Sequence, residues 1–160
     1  MLNIWTTGNA SRRRAQFLVL AATLVAVLLH AQPSPQSPEP FSDRDASTLL
    51  RHLSSSLQSH SKKNFLALFD LSKMKDGPLF KQQIDRFFAH ADTIRIHLNL
   101  ADTNADAAPP AFAVDAEMEV QPRVGGQASR VSNRVSFTVA RAGSDWKIVD
   151  LQPRSFFSLP

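Results

Sequence analysis

The sequence FAVDAEMEVQPRVGGQASRVSNRVSFTV (residues 112–139) decides the fold that we predict for this chain of 160 residues. Apolar side chains alternate with polar ones on both sides of Gly125-Gly126, and a period of two is typical of strands with one covered face. Adjacent glycines can adopt the positive φ angles of a two-residue hairpin turn. The stretch therefore predicts two antiparallel strands joined at this pair.

A turn centred on the two glycines also sets which residues lie opposite each other. The apolar pairs are then Val120 with Val131, Ala116 with Val135, Val114 with Phe137, and Phe112 with Val139. On the other face Glu117 lies opposite Arg134, a pairing of opposite charges that stabilises neighbouring strands. We expect the apolar face, which includes Met118 opposite Asn133, to point into the protein.

Two further strands flank this hairpin. Upstream, apolar residues alternate with polar ones across residues 94–100, and downstream a turn at residues 142–145 leads into the strand 146–151. That last strand ends before Pro153, which has no amide hydrogen to donate to a continuing ladder. The sequence predicts four antiparallel strands.

The region before the strands has helical periodicity instead. Ser42 and Asp45 resemble a capping box ahead of a leucine stripe, which predicts a helix near residues 43–58. Ser61 can begin a second, shorter helix, and residues 76–78 open a third. Helices followed by an antiparallel meander predict an α+β domain over residues 42–160, with three N-terminal helices packed on a curved sheet of about four strands.

Residues 1–31 have the pattern of a secretory signal peptide. Three arginines at 12–14 precede residues 17–29, among which only Thr23 is polar, and the small Ala31 suits the position before a cut. This apolar run spans about 20 Å as a helix, which is short of the roughly 30 Å hydrocarbon core of a membrane. We expect cleavage and export to the periplasm or the medium. An uncleaved N-terminal membrane anchor is the alternative.

Composition narrows the class of protein further. The chain has 18 Lys and Arg against 14 Asp and Glu, but three of the arginines lie at 12–14, and the remaining charges are interleaved. A nucleic-acid surface needs clustered positive charge, so nucleic-acid binding is not expected. The chain has no cysteine, hence no disulfide.

Prolines at 33, 35, 38 and 40 predict an extended linker over residues 32–41.

The order of three helices and then four strands resembles the nuclear transport factor 2-like superfamily, as do the closing segment SDWKIV (residues 144–149) and the pair Phe156-Phe157. This superfamily includes SnoaL-like and ketosteroid-isomerase-like domains and has a cystatin-like α+β cone. The resemblance covers about residues 42–157. It implies a curved sheet around a cavity, and it implies no single activity, because such domains include enzymes, binding proteins and accessory modules.

Two polar residues interrupt the apolar face of the predicted sheet. Asn133 lies among apolar residues of its strand, and Asp150 shares the face of Trp146. A two-residue turn at Gly143-Ser144 puts Asp150 inside the cavity or at its rim, whereas a three-residue turn points it outward. Inside an apolar cavity, Asp150 could act as a general base and Asn133 could donate a hydrogen bond. The alternative is that both are rim residues bonded to nearby backbone.

The five histidines are scattered and have no partners at metal-ligand spacing, so the sequence predicts neither a metal nor a cofactor. His90, at the end of the third helix, is the one histidine that we consider for the cavity. Its alternative role is a favourable interaction with the helix dipole. The resembled isomerases use a tyrosine in their oxyanion hole, and this chain contains no tyrosine.

Three functional hypotheses follow. The first is an exported, non-catalytic domain that binds a partner protein or a small apolar ligand, with the ligand contacting Asn133, Met118, Phe137, Trp146 and Phe87. The second is a small acid-base enzyme, an isomerase or a dehydratase, with Asp150 as base and Asn133 or His90 assisting. The third is a module that self-associates, as a dimer through the outer face of the sheet. Membrane contact is expected only through an uncleaved signal segment.

Overall fold

The computed structural model describes residues 39–158. The predicted signal peptide and nearly all of the predicted linker lie outside the described residues and remain predictions. The helices are α1 (Asp43–Gln58), α2 (Lys62–Leu66) and α3 (Gly77–His90). The strands are β1 (Ala91–Asn104), β2 (Ala111–Pro122), β3 (Ser129–Ala142) and β4 (Asp145–Gln152), and a 3-10 helix follows at Arg154–Phe157. The α+β class with a four-stranded antiparallel sheet is confirmed.

The first helix begins at the capping box that the sequence predicts. The Ser42 hydroxyl accepts from the Asp45 amide, and the Asp45 carboxylate accepts from the Ser42 amide at 3.0 Å. By contrast, α2 is a helix of only 5 residues, so the structure has two long helices and one helical turn where three helices were expected. The chain leaves the helical path after Leu66 because the following backbone bonds to the sheet.

That bond joins residues 68–70 to the outer edge of β4. The Ile148 amide donates to the Leu68 carbonyl and the Asp70 amide donates to the Ile148 carbonyl, each at 2.9 Å. The strands themselves follow the order β1-β2-β3-β4, with every neighbouring pair antiparallel. The parallel bridge at Ile148 therefore attaches the connection between α2 and α3 to one edge of the sheet.

The register of β2 against β3 differs from the predicted one by two residues. Val114 lies opposite Val135, and Arg134 lies opposite Asp115 where Glu117 was expected. Since side chains alternate with a period of two, this shift leaves each side chain on its predicted face. The apolar face does point inward, as the buried Val114 and Val135 show.

The predicted two-residue turn at Gly125-Gly126 is wrong, because residues 123–128 form a longer loop between the strands. Pro122 has no amide hydrogen, so the ladder cannot continue towards the glycines. The Arg123 amide instead donates to the His90 carbonyl at 2.8 Å, which ties the loop to the end of α3.

The interior between the helices and the sheet is filled by aromatic rings. The fully buried phenylalanines are Phe65, Phe80, Phe87, Phe137, Phe156 and Phe157. The rings of Phe65 and Phe157 meet edge to face at 5.3 Å, a favourable geometry for aromatic pairs. Among residues 39–158 the one buried polar side chain is Ser56, whose hydroxyl donates to the Leu53 carbonyl at 2.8 Å. The described core thus contains no ionisable side chain.

The outer face of the sheet carries ion pairs between neighbouring strands. Arg134 lies 2.9 Å from Asp115, Arg130 pairs with Glu117, and Arg95 lies 3.6 Å from Glu119. The side chains of these pairs are exposed, so this face is solvated. Exposed ion pairs stabilise a fold only weakly. The predicted dimer through this face remains a prediction, since the structure describes a single chain.

We expect Gly77→Ala to destabilise the fold. A Cβ atom at position 77 would overlap the Leu71 carbonyl oxygen, a backbone atom that cannot rotate away, and would lie 3.0 Å from the carbonyl carbon. The expected loss is about 1–3 kcal/mol in the free energy of unfolding, measured by urea denaturation. The control is Lys75→Ala at a nearby exposed position. Equal stabilities for the two variants would contradict this close approach.

Candidate functional site

A pocket of about 830 Å³ opens between α3, the loop end of the β2–β3 hairpin and the C-terminal 3-10 helix. Sites for small molecules typically enclose about 300–1,000 Å³. From α3 the pocket is lined by Leu79, Gln82, Gln83, Arg86, Phe87 and His90, a spacing that places them on one face of the helix. From the hairpin it is lined by Val120, Arg123, Val124 and Gln127.

The apolar part of this lining is unusually open to solvent. Leu79 is 65% exposed and Val124 is 87% exposed, and these are the large hydrophobic side chains that are exposed within residues 39–158. Deeper in the pocket lie the buried rings of Phe87 and Phe157, whose centroids are 6.1 Å apart. The apolar surface that the pocket offers to a ligand therefore lies mostly at its rim, with the two buried rings behind it.

The polar part of the lining is basic. Arg86, His90 and Arg123 line the pocket, and no Asp or Glu belongs to the lining. The His90 Nδ1 atom lies 2.8 Å from the Arg86 carbonyl, and the Arg123 Nη2 atom donates to the Ala91 carbonyl at 3.3 Å. These contacts hold the His90 ring and the Arg123 guanidinium at the carboxyl end of α3, and Arg86 lies one turn earlier on the same face.

The structure brings together only some of the residues that the sequence singled out. Phe87 and His90 line the pocket. Met118 and Phe137 are buried in the core, outside the lining. Trp146 lies beside a second, smaller pocket of about 370 Å³, where the Arg141 guanidinium stands 4.9 Å from its ring centre. A ligand role for each of these residues remains a prediction.

Asn133 is exposed, so of its two predicted placements, inside the cavity or at its rim, the interior one is wrong. It lies opposite Ala116, where Met118 was expected, because of the two-residue shift in register. It shares the face of Val135, yet none of residues 129–134 is buried. The buried residues of β3 are Val135, Phe137 and Val139, all in its second half, so alternation alone does not make Asn133 an interior residue.

Asp150 is also displaced from its predicted position. The two-residue turn at Gly143-Ser144 forms, and Val139 lies opposite Ile148 as expected. An irregularity then shifts the register, so that Phe137 lies opposite Leu151 where Asp150 was expected. One extra residue, Val149, causes this β-bulge, and a bulge reverses which side chains face inward.

The Asp150 carboxylate consequently lies outside the apolar interior. Its Oδ1 atom accepts from the Arg154 guanidinium at 2.9 Å, and Gln152 lies 3.4 Å from its other oxygen. Leu151 takes the interior position and is fully buried. The inward placement on which the acid-base hypothesis depended is wrong.

The carboxyl groups whose pKa values are displaced also lie outside the pocket. A hydrogen bond from the Ser72 hydroxyl lowers the pKa of Asp70, and bonds from Lys62 and Lys81 lower that of Asp85. The Arg134 guanidinium likewise lowers the pKa of Asp115. Each shift arises from an exposed partner, so these groups do not mark a catalytic centre.

Residues 39–158 contain neither a metal-binding cluster nor a membrane-spanning helix. No cluster of three or more His, Asp or Glu side chains in that range could hold a metal ion. In the same range no helix has the length and apolar character needed to cross a membrane.

Sequence reasoning did not single out Arg86, Arg123, Leu79 or Val124. Arg86 and Leu79 share the helical face of Phe87 and His90, which was the available signal. Arg123 and Val124 directly precede the two glycines, where a tight turn was predicted in place of the longer loop that forms. Only the longer loop brings these two side chains to α3.

Comparisons with known proteins relate the chain through its fold. No family model matches it, and no curated protein matches it significantly. Three similar solved structures each align with 68% of this chain. One, assigned as an aromatic ring hydroxylase from Novosphingobium aromaticivorans, has 17% sequence identity and a TM-score of 0.54 over 84% of its chain. Another, assigned as a scytalone dehydratase from the same organism, has 11% identity and a TM-score of 0.58 over 79% of its chain. The third, a hexachlorocyclohexane dehydrochlorinase, has 10% identity and a TM-score of 0.51 over 80% of its chain. These neighbours have the nuclear transport factor 2-like fold, so that fold is confirmed for this chain.

We expect Asp150→Ala to leave binding in the pocket unchanged and to cost less than about 1 kcal/mol of stability, since it removes only a partly exposed ion pair. Leu151→Ala is the matched comparison, and it should cost about 2–5 kcal/mol because it leaves a hole in the core. Thermal unfolding of both variants measures the difference. A loss for Asp150→Ala as large as that for Leu151→Ala would contradict the partly exposed position of Asp150.

Proposed function

We propose that this nuclear transport factor 2-like domain is a non-catalytic binding domain, which takes a small, largely apolar ligand into the pocket beside α3. The observation that carries the proposal is the pair of solvent-exposed apolar side chains, Leu79 and Val124, at the rim of that pocket. Exposed apolar surface around a concavity is typical of binding sites. Covering it would contribute about 25 cal/mol for each Å² removed from water.

The composition of the interior supports binding over catalysis. Two of the similar structures are named as a dehydratase and a dehydrochlorinase, and acid-base chemistry needs a titratable group positioned against the substrate. Within residues 39–158 the core holds no ionisable side chain. Apart from its arginines, the lining contains the ionisable side chain of His90. That side chain is exposed and is bonded to the Arg86 carbonyl.

The pocket can be tested by filling it. Ala89 is an exposed α3 residue of the lining, so Ala89→Trp places a large ring in the pocket without disturbing the core. We expect the full-length chain to bind the neutral fluorescent dye Nile red and the variant to bind it at least about tenfold more weakly, a change that fluorescence titration resolves easily.

The matched control for this test is Ser47→Trp. Ser47 is likewise an exposed helical residue with a small side chain, but it lies on α1 and outside the pocket. Thermal unfolding checks that both variants are folded. Dye binding that is lost equally in both variants, or in neither, would refute the pocket as the binding site.

We also propose that the domain acts outside the cytoplasm after cleavage behind Ala31. The support is the pattern of residues 1–31, with its arginines, its short apolar run and its small residue before the cut. Mass spectrometry of the chain expressed in a bacterial host should find Gln32 at the mature N-terminus. An intact Met1 on membrane-bound protein would contradict cleavage and support the anchor.

A further inference from the structure

The basic end of the pocket lacks a counter-ion. Elsewhere in the described residues, ion pairs with carboxylates are made by Arg95, Arg130, Arg134 and Arg154. Neither Arg86 nor Arg123 is within ion-pair distance of a carboxylate belonging to residues 39–158. Asp85, the neighbour of Arg86 in sequence, is engaged by Lys62 at 2.7 Å and by Lys81 at 2.9 Å. The pocket thus presents two guanidinium groups whose charge no described carboxylate balances.

The helix end accounts for part of the Arg123 side chain, whose Nη2 atom donates to the carbonyl of the C-cap residue Ala91, but it does not account for the Arg86 side chain. Carbonyl groups at the carboxyl end of a helix attract cations, which would give the arginines a purely structural role. Here other donors reach those carbonyls. The Phe88 carbonyl lies 3.0 Å from His60 Nε2, the Arg86 carbonyl lies 2.8 Å from His90 Nδ1, and the His90 carbonyl accepts from the Arg123 amide. The Arg86 side chain is therefore not used as a cap.

The Arg123 side chain is held in place and still has donors to spare. Its Nη2 atom donates to the Ala91 carbonyl and lies 3.5 Å from His60 Nε2. A guanidinium has five N–H donors, so these contacts leave several of them for a ligand. An anchored guanidinium loses little freedom on binding, which favours recognition of a planar or tetrahedral oxyanion.

The pocket is polarised along α3. Leu79 lies in the first turn of the helix and Arg86 lies about 10 Å further along its axis, at about 1.5 Å per residue. Phe157 lines the pocket beside the helix. The basic side chains of the lining therefore lie towards the carboxyl end of α3, and Leu79 lies towards its amino end.

We propose that the pocket binds an amphiphilic oxyanion, with the anionic head between Arg86 and Arg123 and the apolar body along Leu79, Phe87 and Phe157. This inference rests on the proposed function and specifies its ligand class. The head is a carboxylate or a phosphate monoester, since a guanidinium pairs with both. The apolar body is of the size that a pocket of about 830 Å³ accommodates.

The test is competition against bound Nile red, using the full-length chain and four compounds of equal tail length. They are decanoate, decyl phosphate, neutral decanamide and cationic decyltrimethylammonium. We expect at least one of the two anions to displace the dye about tenfold more strongly than decanamide, and the cation to displace it least. Raising the salt concentration should narrow the difference between anion and amide.

Variants of the two arginines identify the groups responsible. Arg86→Gln and Arg123→Gln should each weaken the preferred anion about tenfold while leaving decanamide unchanged. Arg51→Gln is the control, because Arg51 is an exposed arginine on α1 outside the pocket. Thermal unfolding confirms that the variants are folded. Equal effects of all three substitutions would overturn the assignment of the head group to this pocket.

The outcomes separate this inference from the proposed function. If Ala89→Trp blocks Nile red but anion and amide compete equally, the pocket stands and the oxyanion proposal fails. If Ala89→Trp does not affect the dye, the proposed function itself fails. If the protein sediments with phosphatidylglycerol vesicles, loses that binding in Arg86→Gln and Arg123→Gln but not in Arg51→Gln, and binds neither soluble anion, the basic end contacts a membrane surface, and the proposal of a free amphiphile is overturned.

Discussion

Burial of phenylalanine rings between two long helices and one face of the sheet is the constraint on which the rest of this structure depends. The chain has no cysteine to hold it together, so these contacts must do so. Phe65, for example, meets Phe69, Phe88 and Phe157, and thereby joins α2, α3 and the C-terminal 3-10 helix. The pocket opens where this packing ends, at the exposed side of α3.

Much of the fold is readable from the sequence because it depends on periodicity. Alternation over residues 94–151 correctly predicts four strands, and the capping box correctly predicts the start of α1. What periodicity cannot supply is the position where pairing starts. Pro122 ends the ladder before the glycines, an effect that the sequence shows as plainly as it does for Pro153. The bulge at Val149, which turns Asp150 outward, depends on backbone hydrogen bonds that no alternation of polarity reveals.

The candidate site was less predictable than the fold for the same reason. Phe87 and His90 could be chosen from the helical pattern, and both line the pocket. Arg123 could not, because its position follows from the bond between its amide and the carbonyl of His90, a residue far from it in the sequence. Pairings between separate elements determine which surface residues meet, and a polar loop in the sequence does not specify its neighbours.

The bridge between residues 68–70 and Ile148 limits where a second copy of this domain could pair with the edge of the sheet. With the β4 edge occupied, β1 is the strand of the described sheet that pairs on one side only. Open edges seed aggregation unless they carry charge. Along β1, Asp92, Arg95 and Asp102 are exposed. A second strand that paired with β1 would have to strip these charges of water.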